Sequence, residues 1–295
     1  MTAIRVVEPG FQTTIQDLGR FGFAHLGVSP CGAADSLSLR AGNRLTGNPD
    51  RAAGLEMTLT GGSFAFEHDT VFALTGSEFD AFLDGRAAPF WRATAAASGA
   101  RLEIGPAREG ARCYLCVAGG FEVPAVLGSK STDLRAGFGG LEGRALRRGD
   151  RLSVGDCAGP PATADAAHLR RFLRGPVIRV TANGDTARLC AAEYTVREDS
   201  NRLGLRLSGP VLETEGRELL TEGLAPGAVE LPPSGLPIIL CVDQQTTGGY
   251  AKLAHVVSAD LPKVGQLRPR DRVRFRTVDL AAALEALRQQ ESELP

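Results

Sequence analysis

The chain has 295 residues, of which 43% are hydrophobic and 23% charged, and its net charge is -1. That balance belongs to a folded protein with a sizeable core, and near-neutrality gives no general pull toward nucleic acid or an anionic membrane. No run approaches the roughly 18 apolar residues of a membrane span, and the first residues lack the apolar segment of a signal peptide, so a cytoplasmic location is expected by default.

Thirty-six glycines and 17 prolines separate many short apolar runs, a pattern expected of a mainly β protein with few, short helices. Strands are expected at 4–7, 64–66, 70–75, 81–83, 101–104, 112–118, 151–154, 177–181, 204–207, 237–242, 255–258 and 272–275, with a tight hairpin at Asp84-Gly85. Helices are expected at 33–45, with Leu37, Ala41 and Leu45 on one face, at 165–173, and from Asp279 onward, where an aspartate suited to capping precedes Leu280, Leu284 and Leu287. The Gly-Pro-Pro stretch within 155–167 reads as a connector between two β-rich lobes, 1–160 and 175–295. A short echo between Gly120–Pro124 and Ala228–Pro232 is compatible with a shared plan for both.

Cys113 and Cys116 have the spacing of a dithiol or zinc pair, yet on a strand residues three apart face opposite ways, so buried thiols are expected. The four histidines have no metal-ligand spacing, and no metal is expected. Polar chemistry gathers instead in five stretches. In the first, Gln12, Thr14 and Gln16 share one face of an extended segment, followed by Asp17 and Arg20. In the second, Ser29 and Asp35 lead into the first helix, where they serve either an anion site or the cap. The third runs through Lys130, Ser131, Thr132 and Asp133 to the glycines at 137–143. It matches neither a Walker loop nor a dinucleotide fingerprint, but fits a backbone nest for phosphate or carboxylate. Asn201 and Arg202 offer an amide and a guanidinium, or else a surface turn. The fifth, Asp243 to Tyr250, follows an apolar run. It carries Gln245, Thr246, Thr247 and Tyr250 around Gly248 and Gly249, either as a ligand site or as a polar hairpin. No Gly-x-Ser-x-Gly elbow is present, which disfavours a serine hydrolase.

Taken in order, Gln12–Arg20, Gly27–Asp35, Leu55-Glu56, Ala73–Gly76, Tyr114–Gly120, Leu127–Asp133, Gly139–Arg144, Ser200–Gly204 and Asp243–Tyr250 resemble the motifs of one family. That family includes the C subunit of bacterial ATP-dependent 5-oxoprolinase, the second subunit of allophanate hydrolase, the antagonist of a sporulation-kinase inhibitor, and the A/B part of the urea carboxylase carboxyltransferase region. The resemblance implies a cyclophilin-like β-barrel in the C-terminal lobe and a heteromer with a B-type subunit, with a third lactamase subunit possible. It also implies a small amide or lactam substrate, and ATP with Mg2+ shared with the partner. Biotin on a carrier is the alternative cofactor in carboxyltransferase members, and a non-catalytic regulator the alternative role. By resemblance, Arg202, Gln245 and Asn201 take catalytic roles. Lys130, Ser131, Thr132, Asp133, Thr246, Thr247, Gly248, Gly249, Tyr250, Gln12, Gln16, Asp17, Arg20, Ser29 and Asp35 bind substrate or nucleotide, or brace the site. Three departures put the substrate in question: the direct passage through 182–186, Glu230 where glutamine is common, and Ala251 where proline is usual. A charged Glu230 facing the site would disfavour an anionic ligand.

Overall fold

A computed structural model describes residues 3–183, 186–213 and 220–295, so the passage through 182–186 lies partly outside the described residues. The chain divides into two compact units, Met1–Arg20 with Cys31–Arg170 and Leu294–Pro295, and Phe21–Pro30 with Arg171–Glu293.

The first unit is built from two mostly antiparallel sheets. One has six strands in the order Arg151–Ser153, Ala3–Glu8, Ser63–Phe66, Arg101–Ala107, Phe79–Leu83, Arg86–Ala87. The other has five, in the order Gln12–Gln16, Gly54–Thr58, Arg112–Val117, Thr70–Gly76, Ala93–Ala96. Their facing sides share one core: Ile4, Val6, Phe64, Phe66, Leu102 and Ile104 from the first, with Ile15, Leu55, Met57, Phe72, Leu74 and Leu115 from the second. Each of the large side chains stabilises the unit by roughly 1.5–3 kcal/mol on burial.

Strand Arg112–Val117 is buried on both faces. Cys113, Leu115 and Val117 enter the shared core, while Tyr114 and Cys116 pack with Leu39 of the helix Ser36–Leu45. The two cysteines therefore point apart as the strand period requires, and burial pushes both thiols well above their ordinary pKa. The Asp84-Gly85 hairpin has both residues in the left-handed region, φ 48° and 75°, as its turn type demands.

In the second unit, seven strands close into a barrel: Val177–Ala182, Ala251–Val256, Ala228–Leu231, Ile238–Leu240, Gly204–Ser208, Glu193–Val196 and Arg272–Thr277. The last pairs in parallel with the first, and this contact shuts the ring. Period-two alternation fills the interior: Val273 and Phe275 point inward while Arg272, Arg274 and Arg276 are exposed. The C-terminal helix, Leu280–Ser292, is capped by Asp279, whose side chain accepts from the Ala282 N–H.

The mainly β character, the small number of helices and the closed C-terminal barrel agree with the sequence reading. Several elements differ. The 165–173 segment is a 3-10 helix, Ala167–Leu173. The strand expected at 255–258 runs Ala251–Val256 instead, because Ser258–Asp260 turns into a short helix, Leu261–Gln266, with a proline in its first turn. Strands Gly54–Thr58, Glu193–Val196 and Ala228–Leu231 lack an uninterrupted apolar run, and sequence pattern alone missed them.

The edge strand Gln12–Gln16 is covered by a loop that continues the sheet without being a strand. Thr132 donates its N–H (3.0 Å) and hydroxyl (2.9 Å) to Ile15 O, and the Leu146 N–H donates to Thr13 O at 2.9 Å. Two glycines of that loop share φ +72° but not surroundings: a Cβ at Gly139 would lie 2.1 Å from Ser131 O, whereas one at Gly137 meets nothing within 4 Å. Gly137→Ala is expected to cost about 1 kcal/mol from the strained φ alone, and Gly139→Ala at least about 3 kcal/mol because its Cβ also collides with the Ser131 carbonyl. Urea denaturation of both variants checks the difference.

Candidate functional site

The first unit assembles its polar residues around Asp17. Its Oδ1 accepts from Ser129 Oγ and Ser131 Oγ, both at 2.6 Å, and from the Gly19 N–H at 2.8 Å, while Oδ2 accepts from the Lys130 N–H at 2.7 Å. Burial by itself would push this carboxyl up. The hydrogen bonds from Ser129, Ser131, Lys130 and Gly19 outweigh it and hold the carboxyl below its ordinary pKa of 3.8. Arg20, also buried, donates to Ser131 O and lies over the Phe138 ring, 4.8 Å from its centroid. Gln16 donates to Thr14 Oγ1 (3.0 Å) and Thr132 O (3.2 Å), placing both on one face as the strand period requires.

This arrangement binds the Lys130 loop to the glutamine-rich strand, and it occupies the groups that a phosphate would need. Ser129 and Ser131 serve Asp17, Thr132 serves Ile15, and Asp133 accepts the Arg135 and Ala136 N–H groups of its own turn. Lys130 Nζ pairs with Glu122 at 2.9 Å and reaches Phe121 O at 3.4 Å. These hydroxyls and N–H groups are thus already engaged within the loop and with the neighbouring strand. Among the described residues, no cluster of His, Cys, Asp or Glu is grouped to hold a metal ion.

Asp35 is the helix cap: Oδ1 accepts from the Ser38 N–H at 3.0 Å and Oδ2 from Ser38 Oγ at 2.5 Å. Its own N–H donates to Tyr114 Oη, which in turn donates to Glu56 Oε2, both at 2.8 Å; Glu56 Oε2 also accepts from the Ala34 N–H at 2.8 Å. Burial, with the nearby Glu56 and Asp35 charges, pushes the Tyr114 phenol far above its ordinary range. Gln12 pairs with Thr58 along the ladder and is half-buried.

The second unit assembles a different cluster around the turn at 243–250. Arg202 and Asp243, both buried, form a two-pronged pair: Nε donates to Oδ2 at 2.8 Å and Nη2 to Oδ1 at 3.1 Å. The backbone repeats the link, the Asp243 N–H donating to Arg202 O at 3.0 Å. Ser29 Oγ fixes the next residue by donating to Gln244 O at 2.5 Å. Asn201 Oδ1 accepts from the Leu203 N–H at 2.8 Å, the surface-turn role open in the sequence reading. Past these anchors the side chains alternate in exposure: Gln245, Thr247 and Tyr250 are exposed, while Gln244 and Thr246 are buried. Thr247–Gly248 forms a two-residue ladder with Glu222–Gly223, so Gly248 is extended and its lack of a side chain permits close packing.

Glu230 lies beneath this ladder. It is 1% exposed, its Oε1 has no hydrogen-bond partner among the described residues, and a Cβ placed on Gly248 would sit 3.0 Å from that oxygen. Burial pushes its carboxyl up; Lys252 opposes the rise and Glu222 adds to it. The sequence flagged Glu230 only as a departure from the family pattern. Its burial in the strand Ala228–Leu231 is visible only in the structure, since sequence pattern missed that strand. Asp243 as the partner of Arg202, and Ser129 as a donor to Asp17, were not singled out by the sequence reading.

The profile of the carboxyltransferase domain, subdomains A and B, matches residues 26–277. The chain is 40% identical over 296 residues to the C subunit of Escherichia coli 5-oxoprolinase, covering 98% of this chain and 95% of that one. It is 32% identical to urea amidolyase of Saccharomyces cerevisiae, over 93% of this chain and 16% of that protein. The crystal structure of the Kluyveromyces lactis urea amidolyase superposes with a TM-score of 0.91 at 28% identity, over 99% of this chain and 20% of that one.

The Asp17 cluster generates a prediction with a definite sign. A carboxyl with a depressed folded pKa adds stability that is present above its unfolded value, near 3.8, and lost as pH falls through the folded value. Asp17→Asn is therefore expected to lower stability at pH 7 by about 2–4 kcal/mol. The gap from the wild type is expected to narrow below pH ~4. Chemical denaturation of both proteins across pH 2–7 checks it.

Proposed function

Because the chain belongs to the carboxyltransferase-domain family, subdomains A and B, we propose that it is one component of an ATP-dependent 5-oxoprolinase-type enzyme that acts on a small lactam or amide together with a B-type partner. The observation that carries this reading is the 40% identity to the C subunit of E. coli 5-oxoprolinase, sustained over 95% of that protein. A third, lactamase subunit fits the same scheme.

In this reading the turn at 243–250 presents the amide-binding groups and the residues behind it hold them still. Gln245 offers a carboxamide that donates to a carbonyl or accepts from an N–H, and Thr247 and Tyr250 add hydroxyls from the same exposed side of the turn. The buried Arg202–Asp243 pair and the Ser29 contact to Gln244 O fix the turn's backbone, so that substrate meets prepositioned groups. Arg202 acts here as an anchor for Asp243, and Asn201 as the lock of the adjoining turn. Lys130, Ser131, Thr132, Asp133, Gln12, Gln16, Asp17, Arg20 and Asp35 brace the first unit. ATP supplies activation of the amide carbonyl in the assembled enzyme, and no nucleotide contact is assigned to the Lys130 loop.

A second reading, a biotin-dependent carboxyltransferase component acting on urea, is favoured by the TM-score of 0.91 to K. lactis urea amidolyase. Both reactions require a planar amide group to be oriented, and the same turn serves either.

Reconstitution separates them. The chain mixed with its B-type and lactamase partners is expected to release ADP only when 5-oxoproline is present. Gln245→Ala is expected to lower kcat/KM by about 10–100-fold with an unchanged Tm, because the residue is exposed. Nucleotide turnover indifferent to 5-oxoproline, together with transfer of labelled carboxyl from a biotinylated carrier to urea, would establish the second reading instead.

A further inference from the structure

Like charges set directly across a sheet repel, and a fold that keeps them there must offset the repulsion in some way. The barrel of the second unit holds such a pair. Its strands Val177–Ala182 and Arg272–Thr277 run in parallel with Arg179 opposite Arg276. Because Ile178 and Phe275 fill the interior, both arginines stand on the outer wall, on strands about 4.8 Å apart.

One carboxylate answers them, and it is already spent. Asp260 is 1% exposed; its Oδ2 accepts from the Arg179 N–H at 2.7 Å and from Nε at 3.1 Å, and its Oδ1 accepts from Arg179 Nη2 at 2.6 Å. A third cation crowds in: Lys263 Nζ lies 3.6 Å from the same Oδ1 and donates to Val177 O at 3.0 Å. Burial pushes the Lys263 ammonium below its ordinary pKa; Asp260 opposes that shift, and the Arg179 and Arg276 charges add to it. On the strand beyond, Glu193 is taken by Arg272 at 3.2 Å and Arg274 at 2.9 Å. Three cations against one carboxylate leave two positive charges unmatched among the described residues. Arg276 is exposed and makes no ion pair or hydrogen bond among those residues, while half-buried Arg179 keeps its Nη1 outside the contacts with Asp260.

We propose that Arg276, Arg179 and Lys263 form a binding site for a small phosphate-like oxyanion on the outer wall of the barrel. The Arg276 guanidinium and Arg179 Nη1 donate to its oxygens, and Lys263, held by Val177 O and Asp260, adds a fixed positive charge. A guanidinium presents paired N–H groups that match two oxygens of one oxyanion, a geometry that chloride cannot use. A bound anion turns repulsion between the arginines into attraction to a shared centre. None of these residues belongs to the turn at 243–250, so the outcome leaves the reading of that turn unchanged.

The test titrates the full chain with inorganic phosphate by ligand-observed 31P NMR near neutral pH, with ionic strength held constant by chloride. Wild type is expected to bind phosphate saturably, and Arg276→Gln to weaken binding by about fivefold or more with an unchanged Tm, since that side chain is exposed. Arg272→Gln removes another exposed arginine of the same strand, one engaged by Glu193, and is expected to change the affinity by less than about twofold. Methyl phosphate forms a second arm: affinity equal to that of phosphate supports an esterified ligand, and weaker affinity supports the free ion. No saturable binding by wild type, binding that Arg276→Gln leaves intact, or equal weakening by Arg272→Gln and Arg276→Gln overturns the proposal.

Discussion

A buried carboxylate must be met by donors, and at Asp17 that requirement organises the first unit. An uncompensated anion in a protein interior costs several kcal/mol, more than most single interactions return. Here two hydroxyls and two backbone N–H groups answer it, and three of the four come from the 129–131 stretch, more than a hundred residues along the chain. Once that loop is drawn in, Thr132 extends the edge strand, Arg20 closes over Phe138, and the glycines that follow must take backbone angles and contacts that other residues resist. The hydroxyl-rich lysine loop thus supplies most of the donors that one buried carboxylate requires.

The same logic, at smaller scale, holds the turn in the second unit. Asp243 is satisfied by the Arg202 guanidinium, and the ion pair sits behind residues that are themselves exposed. Buried charge fixes the backbone, and neutral amides and hydroxyls face outward. A planar amide ligand suits such a surface better than a polyanion does. The contrast between the two clusters separates buried residues that brace the backbone from exposed residues free to meet a ligand in the proposed reading, although both carry the same residue types.

Much of the fold was legible because its signal is local. Alternation in Arg272–Thr277, the glycine after Asp84 and the aspartate before Leu280 each act within a few residues, and each produced the expected element. Strands Gly54–Thr58 and Ala228–Leu231 were not legible, because Glu56 and Glu230 interrupt the apolar run on which a strand is recognised. Nor was the inclusion of Phe21–Pro30 with the barrel unit, since no composition shift marks that segment. The family motifs identified the positions that matter but not their tasks. Asp17, Arg202 and Asp35 have the chemistry of ligand-binding residues, and their partners, visible only in three dimensions, are Ser129 and Ser131, Asp243 and Ser38.

Family membership and near full-length similarity to one component of a 5-oxoprolinase point toward amide chemistry, and the outward groups of the 243–250 turn offer amide and hydroxyl hydrogen-bonding atoms. The central claim is therefore one of place: the amide is held at that turn. A crystal structure of the chain with its B-type partner, grown in 5-oxoproline, tests it most directly. The account predicts ring density against the exposed side chains of Gln245, Thr247 and Tyr250. A ring bound elsewhere, with the turn and its two-rung ladder undisturbed, would contradict it.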